Sequence, residues 1–383
     1  MSRLNVGNLF NENEDGAPVV SGISTFSSPH YFVPPSGTTA QRPSNPGEGM
    51  IRFNTDSSHL EYYTGTYWAD VITNNNELGG GTGSNTGTGH RGIFANGQVA
   101  PSTGSYTNHI EYLTISTLGN GETFGDTTVT RSHTSSMASR TRCVFASGYN
   151  STNVMDFITI ASTGDATDFG DNTTSADSTA AAANQIRGLM AGGSSTNIIS
   201  YITIAQTGNA VDFGDLTRAH NNMAGASSSV RGVFAGGGAS DVEYNTIDYV
   251  TISTTGNAQN FGDLTYTKTH NSAGGSSSTR MIIAGGNDSP GFTAVNTIDF
   301  LTIATTGDAQ DFGDLTATAH GGAVMSDSVR AVIKLGGTNA NSATTNTIDF
   351  VTIATTGNAS DFGDSVNQTY GVGEGTSNGH GGL

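Results

Sequence analysis

Six arginines recur at matched places, Arg91, Arg142, Arg187, Arg231, Arg280 and Arg330, each opening a short apolar run. Guanidinium groups so arranged could gather an anionic glycan or a partner carboxylate. Equally, each could clamp a neighbouring aspartate or backbone carbonyl. Recurrence at six places argues for the clamp, because a binding site usually breaks the symmetry of its scaffold. His133, His220, His270 and His320 form a second set, with Asp177 or Ser178 and Tyr370 in the matching places of the other repeats. Imidazoles near one axis could hold a metal only if they converged to about 2.1 Å from it, so structural histidines are expected. Asp165, Asp168 and Asp171, like Asp308, Asp311 and Asp314, put carboxylates three apart as calcium would require. Other repeats carry Asn at the first of these positions, which is Asx-turn chemistry.

Catalytic arrangements are missing. Cys143, the one cysteine, lies in an apolar run and has no adjacent histidine, so an inert buried thiol is expected. No serine sits in a nucleophile elbow, and no glycine run has P-loop spacing. A glycosidase needs two carboxylates that break the repeat, and these mostly obey it. The sequence therefore predicts no enzyme, no cofactor and no metal. What does vary is the segment after each apolar run, where Glu243, Tyr244, Phe292 and Asn339 are the candidate binding residues.

The elements that must position these groups are repeats. RGVFAGG (231–237) recurs as RGIFANG (91–97), RCVFASG (142–148), RGLMAGG (187–193), RMIIAGG (280–286) and RAVIKLGG (330–337). A period-two apolar phrase follows each, from IEYLTI (110–115) to IDFVTI (348–353), and FGD closes each unit at Phe124, Phe169, Phe213, Phe261, Phe312 and Phe362. Small-residue stretches such as AGASSS (224–229) precede the arginines and suit strands crowded around an axis. Four strands per unit and six units predict an all-β, six-bladed β-propeller over 90–383. No small strand precedes Arg91, so residues 370–378 are expected to supply it and close the ring, leaving no open edge. The Gly-Gly after the apolar strand, the variable loop and the two spaced aromatics resemble kelch repeats. The first two units have Asn96-Gly97 and Ser147-Gly148 in place of the glycine pair, and Phe of FGD replaces that family's late Trp.

Residues 1–45 read as an extended arm, 46–72 as a small three-stranded meander, and 73–89 (TNNNELGGGTGSNTGTG) as a flexible linker. The meander is too small to stand alone, so Ile51, Phe53, Tyr62, Tyr63 and Trp68 are expected to dock on other chains. Its run from Gly49 to Trp68, GMIRFNTD…LEYYTGTYW, resembles an N-terminal segment of tailed-phage virion proteins, especially marine cyanophage tail appendages. That resemblance implies a virion structural protein of tail-fibre type. Its N-terminal segment would bind other virion proteins, it would form a homo-oligomer with a trimer as first guess, and its propeller would face outward toward a host surface glycan. The alternative is a kelch-like lectin or carbohydrate-active enzyme.

Composition narrows the partners further. A formal charge of −18 with only 14 basic residues leaves no basic stripe for nucleic acid. No apolar run reaches membrane-spanning length, and the N-terminus lacks the apolar core of a signal peptide. Synthesis in a cytoplasm is expected, and the virion resemblance implies that the cytoplasm is a host's and that the protein resides in the extracellular particle.

Overall fold

The computed structural model describes residues 34–57, 59–70, 89–99, 105–149, 153–239, 242–269, 273–288, 293–337, 344–371 and 375–383. The expected arm lies outside these up to residue 33, as do most of the linker and the candidate residues His270, Phe292 and Asn339. The chain is all-β. Its one helical element among the described residues is a short 3-10 turn at Thr39–Gln41. It divides into two units, Met1–Asn74 and Asn75–Leu383.

In the first unit four strands pair in chain order: Ser36–Gly37, Ile51–Asn54, His59–Tyr63 and Trp68–Asp70. The expected three-stranded meander is therefore enlarged. Ser36–Gly37 lies parallel to Ile51–Asn54, so the module starts some ten residues before 46. Short hairpins of alternating residues need an extra edge and a cover to hold, and the 34–42 segment supplies both.

The second unit is built from four-stranded antiparallel sheets whose strands pair in chain order. Sheet 2 comprises Ser135–Ala138, Arg142–Ala146, Val154–Thr159 and Thr167–Asp171. Sheet 3 comprises Ala180–Ala183, Arg187–Ala191, Thr196–Thr203 and Val211–His220. Sheet 4 has Ala224–Ser227, Arg231–Ala235, Thr246–Thr251 and Gln259–Asp263, and sheet 5 has Ala273–Ser276, Arg280–Ala284, Val295–Thr302 and Gln310–Ala319. Sheet 6 has Ala323–Ser326, Arg330–Lys334, Thr345–Thr352 and Ser360–Gly371. Sheet 1 has Arg91–Val99, Tyr106–Thr114 and Glu122–Arg131. Its first-strand place is taken from the far end of the chain, with Thr376 opposite Ile93 and Ser377 opposite Gly92. Thr369 and Gly371 also pair with Val99 and Gln98, joining sheets 6 and 1.

The core lies between sheets. Strand alternation sends side chains to both faces, so each sheet shares one apolar cluster with the sheet before it and one with the sheet after. Phe124 of sheet 1 packs with Phe145 and Ile158 of sheet 2, and Phe213 of sheet 3 packs with Phe234 and Val250 of sheet 4. Phe362 of sheet 6 packs with Leu113 of sheet 1. At about 25 cal/mol per Å² of apolar area, these shared faces are the main stabilisation of the repeat. Cys143 is fully buried in one of them, and burial pushes its thiol well up.

Candidate interaction site

The six arginines share one environment. Each guanidinium lies over the aromatic of its own third strand, as Arg231 over Tyr249 at 4.6 Å and Arg142 over Phe157 at 4.2 Å. Each aromatic meets the FGD phenylalanine edge-on, as Tyr249 meets Phe261 at 5.8 Å and Phe350 meets Phe362 at 6.0 Å. The guanidinium then donates to a carbonyl of the next sheet: Arg91 to Ile160, Arg142 to Ile204, Arg187 to Ile252, Arg231 to Ile303, Arg280 to Ile353. The sixth bond runs from Arg330 of sheet 6 to Ile115 and Ser116 of sheet 1. The clamp expectation thus matches the carbonyl form, not the pairing with the FGD aspartate. Stacking and charge-assisted bonding together are worth about 1–3 kcal/mol per clamp.

FGD makes a second joint. Its backbone bonds to the TG(N/D)A turn of the next sheet, with Gly256 N donating to Phe213 O at 2.8 Å and Ala258 N to Asp215 O at 2.7 Å. The turn's Asn or Asp accepts from the FGD aspartate amide: Asn257 Oδ1 from Asp215 N at 3.1 Å, Asp165 Oδ1 from Asp126 N at 3.1 Å, Asp308 Oδ1 from Asp263 N at 3.0 Å. Either side chain offers that oxygen, which is why some repeats carry Asn there and others Asp. Asp165 and Asp308 therefore act as amide acceptors, and no group of three metal-ligating side chains occurs among the described residues. Glycine is required in FGD because a Cβ on Gly313 would stand 2.5 Å from the Gly357 oxygen, and the other five make equally close approaches.

A third joint was not legible as such. The acidic residue of the IDY/IDF phrase is buried and faces the preceding sheet's fourth strand. Asp248 accepts from Thr217 N at 2.9 Å and Thr217 Oγ1 at 2.8 Å, and Asp349 accepts from Thr316 in the same way. Asp156 meets buried Arg131 at 2.5 Å, and Glu111 accepts from Val366 N and Asn367 N at 2.8 and 3.1 Å. Burial pushes the carboxyls of Glu111, Asp156, Asp248 and Asp349 above the usual range, against the donated bonds and charges that lower them. Lys334 is also wholly buried, donating to Leu335 O and Thr345 O, and burial brings its ammonium down to about 7. The signal was available: the other five repeats carry alanine where Lys334 stands.

The loop candidates divide. Gly238 pairs with Glu243 on one side and Asn221 on the other, so Glu243 shares a face with Asn221 while Tyr244 turns to the opposite one. Tyr244 lies 5.1 Å from the His220 ring and under the Arg218 guanidinium at 4.7 Å. Burial holds His220 down to about 4, although its bond to the Gly236 backbone works the other way. The Glu243 carboxylate oxygens are buried without a hydrogen-bond partner. His133 sits beside Ser132 Oγ and the exposed Tyr149 ring, and His320 pairs with Gly337. His133, His220 and His320 thus each have their own local setting.

Residues 376–383 bind across the first strands. Ser227 Oγ donates to Ala183 O, Ser276 Oγ to Ser227 O, Ser326 Oγ to Ser276 O, and Ser377 Oγ to Ser326 O. His380 continues this ladder by donating from Nε2 to Ala138 O at 2.8 Å and accepting Gly382 N on Nδ1 at 3.1 Å. Gly382 passes so close to sheet 3 that a Cβ there would lie 1.8 Å from Ala183 O. A cavity of about 250 Å³ lies beside this segment, between His90, Arg140, Ser278 and Ser328.

In the first unit the docking candidates also divide, by register. Ile51 faces Tyr62 and Phe53 faces Leu60, with Ala69 beside Tyr62. The opposite face carries Arg52, Asn54, Glu61, Tyr63 and Trp68. Glu61 is fully buried, bonded to Arg42 at 2.5 Å, Arg52 at 3.0 Å and Asn54 at 3.1 Å. Both arginines lie 5.9 Å from the Trp68 ring. The hydrogen bond from Arg42 holds the Glu61 carboxyl below its usual range despite burial. Among the described residues no helix is long and apolar enough to cross a membrane. Compared with known proteins, the chain matches no protein-family model and resembles no curated protein significantly.

Proposed function

We propose that the chain is a non-enzymatic structural protein of a tailed-phage particle, of tail-fibre or appendage type. Its first unit docks on other virion proteins, and its second unit is a six-bladed β-propeller presented outward for adhesion. The propeller reading is supported by the clamp sequence, in which each sheet bonds to the next and Arg330 bonds back to sheet 1. The structural role is supported by the fate of the repeated polar groups: arginines, Asx turns and buried acids bond between sheets and are not left free for chemistry. The docking role rests on one observation, the exposed apolar face around Ile51 and Tyr62, which are 55% and 40% exposed.

Mass spectrometry of purified particles tests this directly. The protein is expected among the virion components, and a chain lacking residues 1–74 is expected to fold and to be missing from particles. Recovery of that truncated chain in particles at the wild-type level would sink the docking role. Glycan hydrolysis by the pure protein would sink the non-enzymatic reading.

A further inference from the structure

The sheet of the first unit is inverted relative to an ordinary one-sided sheet. Antiparallel sheets usually bury their apolar face and expose the polar one. Here the buried face holds Arg52, Asn54 and Glu61, covered by Thr38–Arg42, while Ile51, Phe53, Leu60, Tyr62 and Ala69 form the other face. Ile51 and Tyr62 are exposed, and Phe53, Leu60 and Ala69 are half-buried. Met50 lies next to the face and is also exposed, at 44%. A contiguous apolar patch of this kind on a small module marks an interaction surface.

We propose that this face pairs with the same face of a second copy of the chain, a reading that rests on the docking role above and names its partner. Charge selects the occupant. The chain carries −18, so two copies repel over most of their surface. The face itself carries no ionisable group but the Tyr62 phenol, and its charged residues, Arg52, Glu61 and Asp70, lie on the other side. Two such faces meet without juxtaposing like charges, and a neutral apolar surface is complementary to itself as an isologous contact requires. Its size sets the strength. Five side chains cover well under the roughly 800 Å² per partner of a stable interface, so the association is reversible and depends on concentration.

The test is sedimentation velocity of the full chain from low to high micromolar concentration. The wild type is expected to gain mass with concentration, and Ile51→Asp or Tyr62→Asp to weaken association at least tenfold. Val211→Asp, at an exposed position in sheet 3, is expected to associate as the wild type does. The one tryptophan, Trp68, lies on the opposite face beside the two arginines. Unchanged Trp68 emission shows that a variant module is still folded, and Ile51→Ser, which carries no new charge, is expected to lie between wild type and Ile51→Asp. A wild type that stays monomeric, or an Ile51→Asp variant that associates as tightly, overturns the proposal. So does a monomer in which hydroxyl-radical footprinting shows the Ile51 and Tyr62 side chains protected, because the chain's own residues then cover the face. Particle incorporation is measured separately. A monomer that still enters virions leaves the docking role standing and removes only the self-pairing.

Discussion

The two units solve the same problem in opposite ways. In the repeat unit apolar residues are shared between neighbouring sheets, and polar groups serve as joints at the margins of that packing. In the N-terminal sheet the buried face is a carboxylate held by two arginines, and the apolar face is left outside. Buried ion pairs contribute little net stability, because desolvation offsets much of the attraction, but they penalise any other arrangement severely. The repeat unit therefore draws stability from area, whereas the first unit draws specificity from charge and must obtain area from elsewhere.

The largest way to break this contrast is to open the repeat unit. Removing residues 376–383 takes away the first strand of sheet 1 and the end of the serine ladder. Calorimetry is expected to show the main transition lowered by about 10 °C or more, with aggregation from the exposed edges. An unchanged transition would mean that area alone holds the sheets. Next comes the charge in the first unit. Glu61→Ala leaves two arginines without their buried partner and is expected to cost about 3–5 kcal/mol. Trp68 fluorescence should report local unfolding while the main transition stays put.

A smaller effect is set by pH. The His380 ring is neutral and buried with its value held at about 4, against 6.5 when free. The unfolded chain therefore takes up the proton first, and stability is full above 6.5 and falls as pH drops toward 4. The loss attributable to His380 amounts to about 3 kcal/mol. His380→Gln keeps a donor for Ala138 O and should flatten this slope; an identical slope would remove the ring from the account. His220 adds a contribution of the same sign, and the buried carboxyls with raised values act oppositely, so the difference between variants is what to read. Smallest is a single clamp. Arg231→Leu should cost about 1–2 kcal/mol, one joint among six, and Arg231→Lys slightly less, because an ammonium stacks less well on Tyr249 but keeps a donor for the Ile303 carbonyl.

The sheets were legible because each repeat carries strand alternation, turn residues and an identical closing phrase. Even the capture of residues 376–377 by Arg91–Val99 followed from a missing strand. The joints were harder to read. Arg231 shows its charge in sequence but not whether its partner is Asp263 or the Ile303 carbonyl, since both lie at the right distance along a generic sheet. Asp248 resembles any polar residue of an alternating strand, and only three-dimensional register shows it facing Thr217. Glu61 and Ile51 mislead for the same reason: period-two alternation separates two faces without saying which is covered. That depends on Arg42, a residue outside the alternating run.

The capture of Thr376–Ser377 by sheet 1 also constrains how the chain can be made. Strands Arg91–Arg131 leave the ribosome early, but their last partner is translated after every other sheet. At ordinary synthesis rates that is a delay on the order of ten seconds or more. Throughout it Arg91–Val99 presents an unpaired edge beside a fresh chain rich in similar strands. Neighbouring chains on one message then become competitors for that edge, and the first copy to finish has the best chance of pairing with itself.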